Sequence, residues 1–511
     1  MNRFAWKHEF FPVAQRFAPL TALVDAQGSL TFAELFDRAA GIAAKLIADG
    51  IGPGDMVASL MPNGRDAVAV HYAVSMTGAC EAPINTALSA EEVAHCADLV
   101  GASLFVTVPA LADRAGGLPV IDPSGIAPAR LMDLPAVAVS PDDWCRVAFT
   151  SGTTGKPKGI AHSHGGRWRA NILLRATLPL AATPGRNVLL MTPYSHGASL
   201  MAQAFHDTGA AVTLLRGVDE PRVRAALEDR MVDQIFASPT VLVKLCEIFA
   251  GRVFDHIRAI YTGTAPLPRE VYQAARAIFG PVVRITYGKS ETYNPITVLT
   301  PEETDRWYDD PRSAVTACVG WPASGVEIML GDPDEGEEGP PADGPVPRPI
   351  LLRTQHMLAA EIGPKGVEVR PPEALHRTGD LGYLDELGRL HLVGREADVI
   401  KTGGYRVTPD EIEGALRGAM PGGELIVLSL PSSYWGEVIT AVAAGAPDGW
   451  REALVGAMGR LSKHKRPRLF AQVDAIARNG LGKVVRGRTR EAVLARYDFI
   501  DGRYPDLRLR G

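Results

Sequence analysis

Short apolar runs alternate with amphipathic stretches through the first half of the chain. Residues 56–61 read MVASLM, which is typical of a buried strand, and a Pro-Asn-Gly turn follows at 62–64. Residues 65–77 then repeat apolar positions with the period of a helix, and residues 82–85 return to an extended pattern. Because strand–helix–strand alternation is typical of parallel sheets wrapped by helices, the pattern predicts an α/β fold.

The same alternation recurs further along the chain. Apolar runs predict further strands at residues 104–108, 147–150, 188–192, 211–215, 234–237, 259–262 and 282–286. A helix-compatible stretch begins at about His164. These strands and helices predict one large domain built of sheets with helices around them.

The character of the chain changes after about residue 295. Residues 331–349 are rich in proline, glycine and acidic side chains, which predicts a surface loop, and short β-like pieces flank it at 326–330 and 350–353. Residues 381–393 predict a hairpin with a turn at 385–388, and Thr408 with Pro409 predicts a helix start. We therefore expect an N-terminal domain over 1–394 with a β-rich module at about 296–394, and a smaller α/β domain over 399–511.

Composition excludes several classes of protein. The chain has 511 residues and a net charge of −5 without a long basic run, so nucleic acid is not expected as a partner. Five scattered cysteines without a C-x-x-C pair argue against a disulfide framework and a zinc site, and favour the cytoplasm. No signal peptide and no run of about 18 apolar residues occurs, so no membrane span is expected.

Residues 150–159 read TSGTTGKPKG and carry most of the candidate chemistry. Its glycines allow backbone N–H groups to approach an anion, its hydroxyls can donate to phosphate oxygens, and its two lysines add positive charge. The glycine spacing does not fit a Walker A loop, and a solvated Gly/Ser/Thr-rich loop is the structural alternative.

This motif resembles the phosphate loop of the superfamily of acyl- and aryl-CoA synthetases, peptide-synthetase adenylation domains and luciferases. The resemblance continues through further motifs in the family's order as far as residue 483. It implies an AMP-forming ligase with ATP, Mg²⁺ and CoA as cofactors, and a large domain joined by a hinge to a mobile C-terminal domain. The motif residues that it assigns to ATP are Thr150, Ser151, Gly152, Thr153, Thr154, Gly155 and Lys158.

Residues 287–291 read YGKSE after an apolar strand. An aromatic face, a close backbone approach and a hard oxygen ligand suit a base, a phosphate and Mg²⁺. By resemblance, Tyr287 stacks on adenine beside Gly288, Ser290 contacts the α-phosphate, and Glu291 holds the metal. Ser290 stands where the family has threonine.

Other positions border the acyl group in the family. The loop Gly263-Thr264-Ala265 resembles one that contacts both adenine and the acyl pocket, which Gly263 and Tyr287 would line. His196, in Pro-Tyr-Ser-His-Gly, would lie beside the carboxylate and position it. Residues 236–240 and 287–293 complete mainly apolar walls, so an aromatic or medium-length acyl monocarboxylate is favoured.

The remaining nucleotide motifs lie late in the chain. Asp380 and Arg395 resemble the family's ribose and phosphate contacts, and Lys401 is assigned to the nucleotide with them. Residues 395–398 match the hinge, but Ala397 stands where the family has a charged pivot. Lys483, in Asn-Gly-Leu-Gly-Lys, would bridge the carboxylate and the α-phosphate during adenylation.

The acyl acceptor is predicted to be CoA. Gly403 and Gly404 match the position of the pantetheine channel, Trp435 lies in a stretch found near CoA in aryl-CoA ligases, and Arg466 is assigned to nucleotide phosphates by resemblance. A stand-alone adenylation enzyme that loads a separate carrier protein, and a non-catalytic nucleotide-binding relative, remain open. A homodimer is also left open.

Overall fold

A computed structural model describes residues 3–151, 157–263, 265–314, 316–331, 345–371, 373–420, 422–478 and 484–510. Over these residues the chain packs into two compact units. The first unit comprises Met1–Arg306, Gly320–Glu327 and Arg353–Ala374. The second comprises Trp307–Val319, Ile328–Leu352 and Leu375–Gly511. This division reflects packing and not mobility, so the hinge at 395–398 and the domain boundaries beside it remain predictions.

Strands alternate with helices in the first half and predominate after residue 297. The strands are β1 (Thr21–Asp25), β2 (Gly28–Thr31), β3 (Met56–Leu60), β4 (Cys80–Pro83), β5 (Leu104–Thr107), β6 (Val120–Ile121), β7 (Trp144–Ser151), β8 (Pro157–Ser163), β9 (Asn187–Leu190), β10 (Ala211–Leu214), β11 (Gln234–Phe236), β12 (Ala259–Thr262), β13 (Val283–Ile285), β14 (Thr297–Val298), β15 (Ala317–Pro322), β16 (Val326–Leu330), β17 (Arg348–Thr354), β18 (Ala360–Gly363), β19 (Gly366–Val369), β20 (His376–Leu384), β21 (Leu390–Arg395), β22 (Ile400–Thr402), β23 (Tyr405–Val407), β24 (Glu424–Ser432), β25 (Gly436–Ala444), β26 (Leu469–Val473), β27 (Tyr497–Ile500) and β28 (Asp506–Leu509).

The helices cover the sheets of the first unit and flank those of the second. They are α1 (Trp6–Arg16), α2 (Phe32–Ala48), α3 (Arg65–Thr77), α4 (Ala90–Leu99), α5 (His164–Ala176), α6 (Ser199–His206), α7 (Glu220–Glu228), α8 (Pro239–Ile248), α9 (Arg269–Phe279), α10 (Pro301–Asp309), α11 (Pro409–Leu416), α12 (Trp450–Ala457) and α13 (Arg486–Arg496).

One sheet of the first unit has the strand order β13-β12-β11-β9-β10-β1-β2. Strands β9 to β13 are parallel to their neighbours. They correspond to the runs predicted at 188–192, 211–215, 234–237, 259–262 and 282–286, so the βαβ prediction is confirmed there. Because these strands run in one direction, the residues that follow them lie along one edge of the sheet.

Another sheet of the first unit has the order β19-β18-β8-β7-β4-β3-β5-β6. Strands β3, β4 and β5 are parallel neighbours, as predicted. Strand β7, however, pairs antiparallel with β8. The sequence predicted a loop and then a helix after β7, and α5 does begin at His164, but residues Pro157–Ser163 form strand β8.

Helices α1, α2 and α3 pack against one another through aromatic side chains. Phe10 of α1 stacks on Trp6 at 5.4 Å between ring centroids and meets Tyr72 of α3 edge-on at 4.9 Å. Helix α2 begins after Thr31, which forms a capping box with Glu34. This core lies beneath the strands whose ends carry the candidate site.

The second unit contains the predicted hairpin, in which β20 and β21 pair antiparallel. Another sheet of this unit has the order β23-β22-β25-β24, with β26 parallel to β25, and β27 and β28 form a separate antiparallel pair. Helix α11 begins at Pro409 as predicted, but the Thr408 side chain makes no capping hydrogen bond with the described residues. Thr408 is buried, and its methyl group lies next to Gly394, so its role is packing.

Among the described residues, none of the helices has the length and apolar character needed to cross a bilayer.

Buried histidines make the stability of the first unit depend on pH. Burial lowers the pKa of His71 and His162 to about 3 and that of His164, His206 and His356 to about 4. These side chains therefore stay neutral in the folded chain, whereas the unfolded chain takes up protons below about pH 6.5. Their contribution to the free energy of unfolding is complete above about pH 6.5 and is lost as the pH falls towards 4.

We therefore expect the urea midpoint of unfolding to fall between pH 7 and pH 5 at constant ionic strength. Each histidine contributes up to about 1.4 kcal/mol per pH unit in that window. Asp207 acts in the opposite sense, because burial raises its pKa to about 7, and it offsets one histidine. An unchanged midpoint would show that these histidines are protonated in the folded state.

Candidate active site

The described residues of the phosphate-loop motif lie on two antiparallel strands, β7 and β8. Thr150 of β7 lies opposite Lys158 of β8, and Ser151 lies opposite Pro157. Gly159 lies next to Ile362 of β18, where an added Cβ would be 3.2 Å from the Ile362 Cβ. The hairpin is therefore held on both sides by strands, and Lys158 is half-buried. The predicted ligands Gly152, Thr153, Thr154 and Gly155 lie outside the described residues.

The other predicted site segments of the first unit follow parallel strands. His196 comes after β9, Gly263 directly after β12, and Tyr287 shortly after β13. Gly197 lies next to Phe236 at the end of β11, since an added Cβ would be 3.7 Å from its ring. The structure thus brings the predicted acyl-pocket and adenine segments to one sheet edge, where ligands of α/β proteins commonly bind.

Gly263 is required by the close approach of two strand ends. A Cβ at this position would lie 2.0 Å from the carbonyl oxygen of Thr286. The Thr286 N–H donates to the carbonyl of Thr262 at 3.0 Å, which fixes this approach. A larger residue would separate the Gly263 loop from Tyr287. Thr264 lies outside the described residues, and Ala265 is exposed.

The backbone of residues 287–291 is held by hydrogen bonds and packing, and the side chains of Ser290 and Glu291 are accessible. Tyr287 is buried, and its N–H donates to Thr297 Oγ1 at 3.0 Å. Gly288 faces the Asn294 side chain, which leaves no room for a Cβ. Ser290 is exposed and Glu291 half-buried. The backbone of this segment is fixed, and its polar side chains are accessible to a ligand.

A hydrogen bond joins this segment to the phosphate hairpin. His162 of β8 donates from Nε2 to the carbonyl oxygen of Ser290 at 2.8 Å, and its ring stacks on Tyr293 at 4.1 Å. The Glu291 carbonyl accepts from the N–H of Leu358 at 2.7 Å. The segment predicted to bind the phosphates and the segment predicted to bind adenine and metal are therefore in direct contact.

His196 lies in a single π-helical turn, Tyr194–Ala198, with non-helical backbone angles at His196 itself. Its Nε2 is 3.5 Å from Asn85 Nδ2. The N–H of Tyr194 donates to Asn63 Oδ1 at 2.8 Å. The side chain is half-buried at the sheet edge, which is compatible with contact to a substrate carboxylate.

Glu291 can supply part of a magnesium site. Mg²⁺ is usually bound by one or two carboxylates together with substrate phosphates. In the part of the chain that the structure describes, no cluster of three or more His, Cys, Asp or Glu side chains could hold a metal by itself. The half-buried Glu291 carboxylate therefore fits an ion held largely by nucleotide phosphates.

In the second unit, the predicted ribose ligands are neighbours. Asp380 of β20 is opposite Arg395 of β21, and Asp380 Oδ1 is 3.6 Å from Arg395 Nε. Asp380 is buried, and its N–H donates to Thr378 Oγ1. The Arg395 side chain is 56% exposed, so it can turn to a ligand. Lys401 of β22 is exposed.

Ion pairs flank the uncharged hinge position. Glu396 binds Arg377 at 2.7 Å, and Asp398 binds Arg486 at 2.8 Å. Arg486 also binds Glu413 at 2.8 Å. Ala397 therefore lies between two fixed neighbours, although it carries no charge itself.

The predicted CoA residues are brought together only in part. Gly403 and Gly404 form the turn between β22 and β23 with φ of +57° and +85°. The Gly403 N–H donates to the Trp435 carbonyl at 2.9 Å, and the Trp435 ring leaves 3.2 Å for an added Cβ. Arg468, which the sequence analysis did not identify, lies 3.9 Å from the centroid of the Trp435 ring. Arg466 instead donates to the Leu461 carbonyl.

Sequence reasoning also missed buried charges beneath the site. Glu81 and Arg146 are almost fully buried and form an ion pair at 2.7 Å. A charged residue inside each of two otherwise apolar strands was the signal that could have identified them.

Comparison with known proteins identifies the family. A sequence model described as AMP-binding enzyme matches residues 10–346. Feruloyl-CoA synthase of an Amycolatopsis species is 30% identical over 487 residues, which cover 92% of this chain and 95% of that protein. The 2-succinylbenzoate–CoA ligase of Listeria monocytogenes is 26% identical, over 92% and 96% of the two chains.

Solved structures of related enzymes have the same fold as this chain. The o-succinylbenzoate CoA synthetase of Bacillus subtilis, bound to its acyl-adenylate intermediate, has a TM-score of 0.80 and 25% identity, over 96% of this chain and 98% of that one. An amide bond synthetase of Marinactinospora thermotolerans has a TM-score of 0.81 and 25% identity, over 95% and 99%. The predicted α/β fold and the family resemblance are thereby confirmed: the chain belongs to the AMP-binding enzyme family.

Proposed function

We propose that this protein is an AMP-forming carboxylate–CoA ligase. The hydrogen bond from His162 to the Ser290 carbonyl carries the proposal, because it joins the phosphate hairpin to the segment for adenine and metal. Relatives named feruloyl-CoA synthase and 2-succinylbenzoate–CoA ligase over nearly their whole length support the ligase activity.

The first step is adenylation of the substrate acid. A carboxylate oxygen attacks the α-phosphorus of ATP, the bond to the β-phosphate oxygen breaks, and pyrophosphate leaves, which forms a mixed anhydride. His196 orients the carboxylate, Tyr287 holds the adenine, and Ser290 donates to the α-phosphate. Glu291 would hold Mg²⁺, which would supply positive charge beside the phosphates. Because charge grows on the phosphoryl oxygens, these fixed groups lower the barrier chiefly by electrostatics and positioning.

The second step transfers the acyl group to CoA. The thiolate attacks the acyl carbon, AMP leaves with the bonding electrons, and a thioester forms. Gly403 and Gly404 carry no side chain that would obstruct a pantetheine arm, and Trp435 forms one wall of this turn. Arg468, above the Trp435 ring, supplies positive charge for a nucleotide phosphate.

An aromatic monocarboxylate is the favoured acid. Aromatic side chains occur in the segments predicted to line the pocket: Tyr287 is buried, Tyr293 stacks on His162, and Phe236 lies next to Gly197. Aromatic rings prefer such surroundings. Feruloyl-CoA synthase and o-succinylbenzoate CoA synthetase, both named for aromatic acids, support the aromatic part of this choice. Cytoplasmic localisation and a homodimer remain predictions.

Pyrophosphate release tests the function directly. With ATP, Mg²⁺ and a panel of aromatic and aliphatic acids, we expect release with at least one aromatic acid and a thioester only when CoA is added. Pyrophosphate release that is unaffected by CoA, with no CoA thioester formed, would indicate that the acceptor is a carrier protein or another molecule. Release with none of the acids would contradict ligase activity and leave a nucleotide-binding relative.

Lys483, which lies outside the described residues, separates the two steps. In Lys483→Ala, adenylation should fall by roughly a hundredfold or more, because a cation that stabilises the developing phosphoryl charge is lost. Thioester formation from supplied acyl-adenylate should persist. Lys365→Ala, at an exposed turn of the first unit, is the control. Equal loss of both steps in Lys483→Ala would refute the division of roles.

Arg468 and Arg466 compete for the role of CoA ligand. Arg468→Ala should raise the KM for CoA about tenfold, the cost of one charge-assisted contact, while pyrophosphate release is unchanged. Arg466→Ala should have a smaller effect, because its Nε already donates to the Leu461 carbonyl. The reverse order of effects would restore the assignment made from sequence.

A further inference from the structure

Beneath the site lies a buried polar network, formed by Ser59, His71, Glu81, Arg146, Arg167 and Gln203 and called here the Glu81 network. Glu81 of β4 and Arg146 of β7 are register partners on neighbouring strands. They are 5% and 3% exposed. Arg146 Nη1 donates to Glu81 Oε2 at 2.7 Å, and Ser59 donates to the other carboxylate oxygen at 2.8 Å.

His71 is the neutral connector in this network. Arg167 can only donate, and its Nη2 is 2.5 Å from His71 Nε2, so this nitrogen accepts. His71 Nδ1 therefore carries the proton and donates to Glu81 Oε2 at 2.6 Å. Burial raises the pKa of Glu81, but Arg146 and His71 outweigh it and lower the value to about 2. Glu81 is thus ionised and holds Arg146 in place.

The second nitrogen of Arg146 binds the backbone of the turn that contains His196. Arg146 Nη2 donates to the carbonyl oxygen of Ser195 at 2.9 Å. Ser195 directly precedes His196, within a turn whose backbone is not regularly helical. Because the backbone angles at His196 are not helical, hydrogen bonds from outside the turn help to fix its position. The guanidinium therefore joins Glu81 and the His196 turn with one rigid fork.

Strand β8, the other neighbour of β7, contacts the segment that contains Ser290 and Tyr293. His162 of β8 is the register partner of Arg146 and holds Ser290 and Tyr293. The Arg167 guanidinium lies 5.8 Å from the centroid of the Tyr293 ring. One buried layer thus contacts the segments on both sides of the predicted acyl pocket.

We propose that Arg146, held by Glu81, is a positioning residue that sets the His196 turn and thereby the enzyme's selection of its acid. The inference rests on the proposed ligase function. A buried ion pair by itself adds little stability compared with apolar residues of similar size. A role in positioning the Ser195 carbonyl explains why the charged pair Glu81 and Arg146 is buried in this core.

Arg146→Lys tests the inference, because a single ammonium can reach Glu81 or the Ser195 carbonyl but not span both. We expect the KM for the acid to rise about tenfold or more, while the KM for ATP stays within about twofold. Discrimination between aromatic and aliphatic acids should also weaken. A merely structural role would lower stability without this split between the two KM values.

Arg186→Lys is the matched control. Arg186 binds Asp233 at 2.8 Å, and these residues directly precede β9 and β11, at the edge of the sheet opposite to the site. This variant should leave both KM values unchanged. If Arg146→Lys does not fold, the pair variant Glu81→Met with Arg146→Met removes both charges and should fold while showing the same rise in the KM for the acid.

The outcomes are distinguishable. Active wild-type enzyme with an unchanged KM for the acid in Arg146→Lys overturns the positioning role and leaves the ligase function intact. Failure of both the lysine and the pair variant to fold would assign the network to stability and overturn the inference. A wild-type protein that releases no pyrophosphate with any acid would remove the proposed function and this inference with it.

Discussion

Parallel strands that end at one sheet edge are the constraint on which the first unit's site depends. Strands β9, β11, β12 and β13 run in the same direction, so the residues after them converge although they are far apart in sequence. The tightest point is Gly263, where a Cβ would lie 2.0 Å from the Thr286 carbonyl. This contact sets the distance between the predicted acyl-pocket loop and Tyr287.

Buried charge is the second organising feature, and it appears in both units. In the first, Glu81 and Arg146 connect strand interiors to the His196 turn. In the second, Arg486 joins Asp398 beside the hinge position to Glu413 of α11. In each case a guanidinium makes several directed contacts, which suits arginine because its donors form a rigid fork. The absent pivot charge at Ala397 is accompanied by ion-paired neighbours.

The pattern of apolar residues predicted most strands in the first half of the chain, because strands that are buried on both faces consist of continuous apolar runs. It failed where a strand is polar. Strand β8 contains Lys158 and His162, so its part of the phosphate motif was expected to be a loop. Arg466 and Arg468 were also not separable by sequence, since both are basic residues near one turn and only packing puts Arg468 on Trp435.

The sequence alone determined the family and the α/β class, because the family's motifs are contiguous stretches such as residues 150–159. It also supplied the predicted nucleotide ligands within those stretches. Tertiary structure alone decided which groups support those motifs. Glu81 and Arg146 are 65 positions apart, and Arg146 and Ser195 are 49 apart. Sheet register brings such residues into contact, and register is a property of how strands pair across the fold, which no local stretch of sequence specifies.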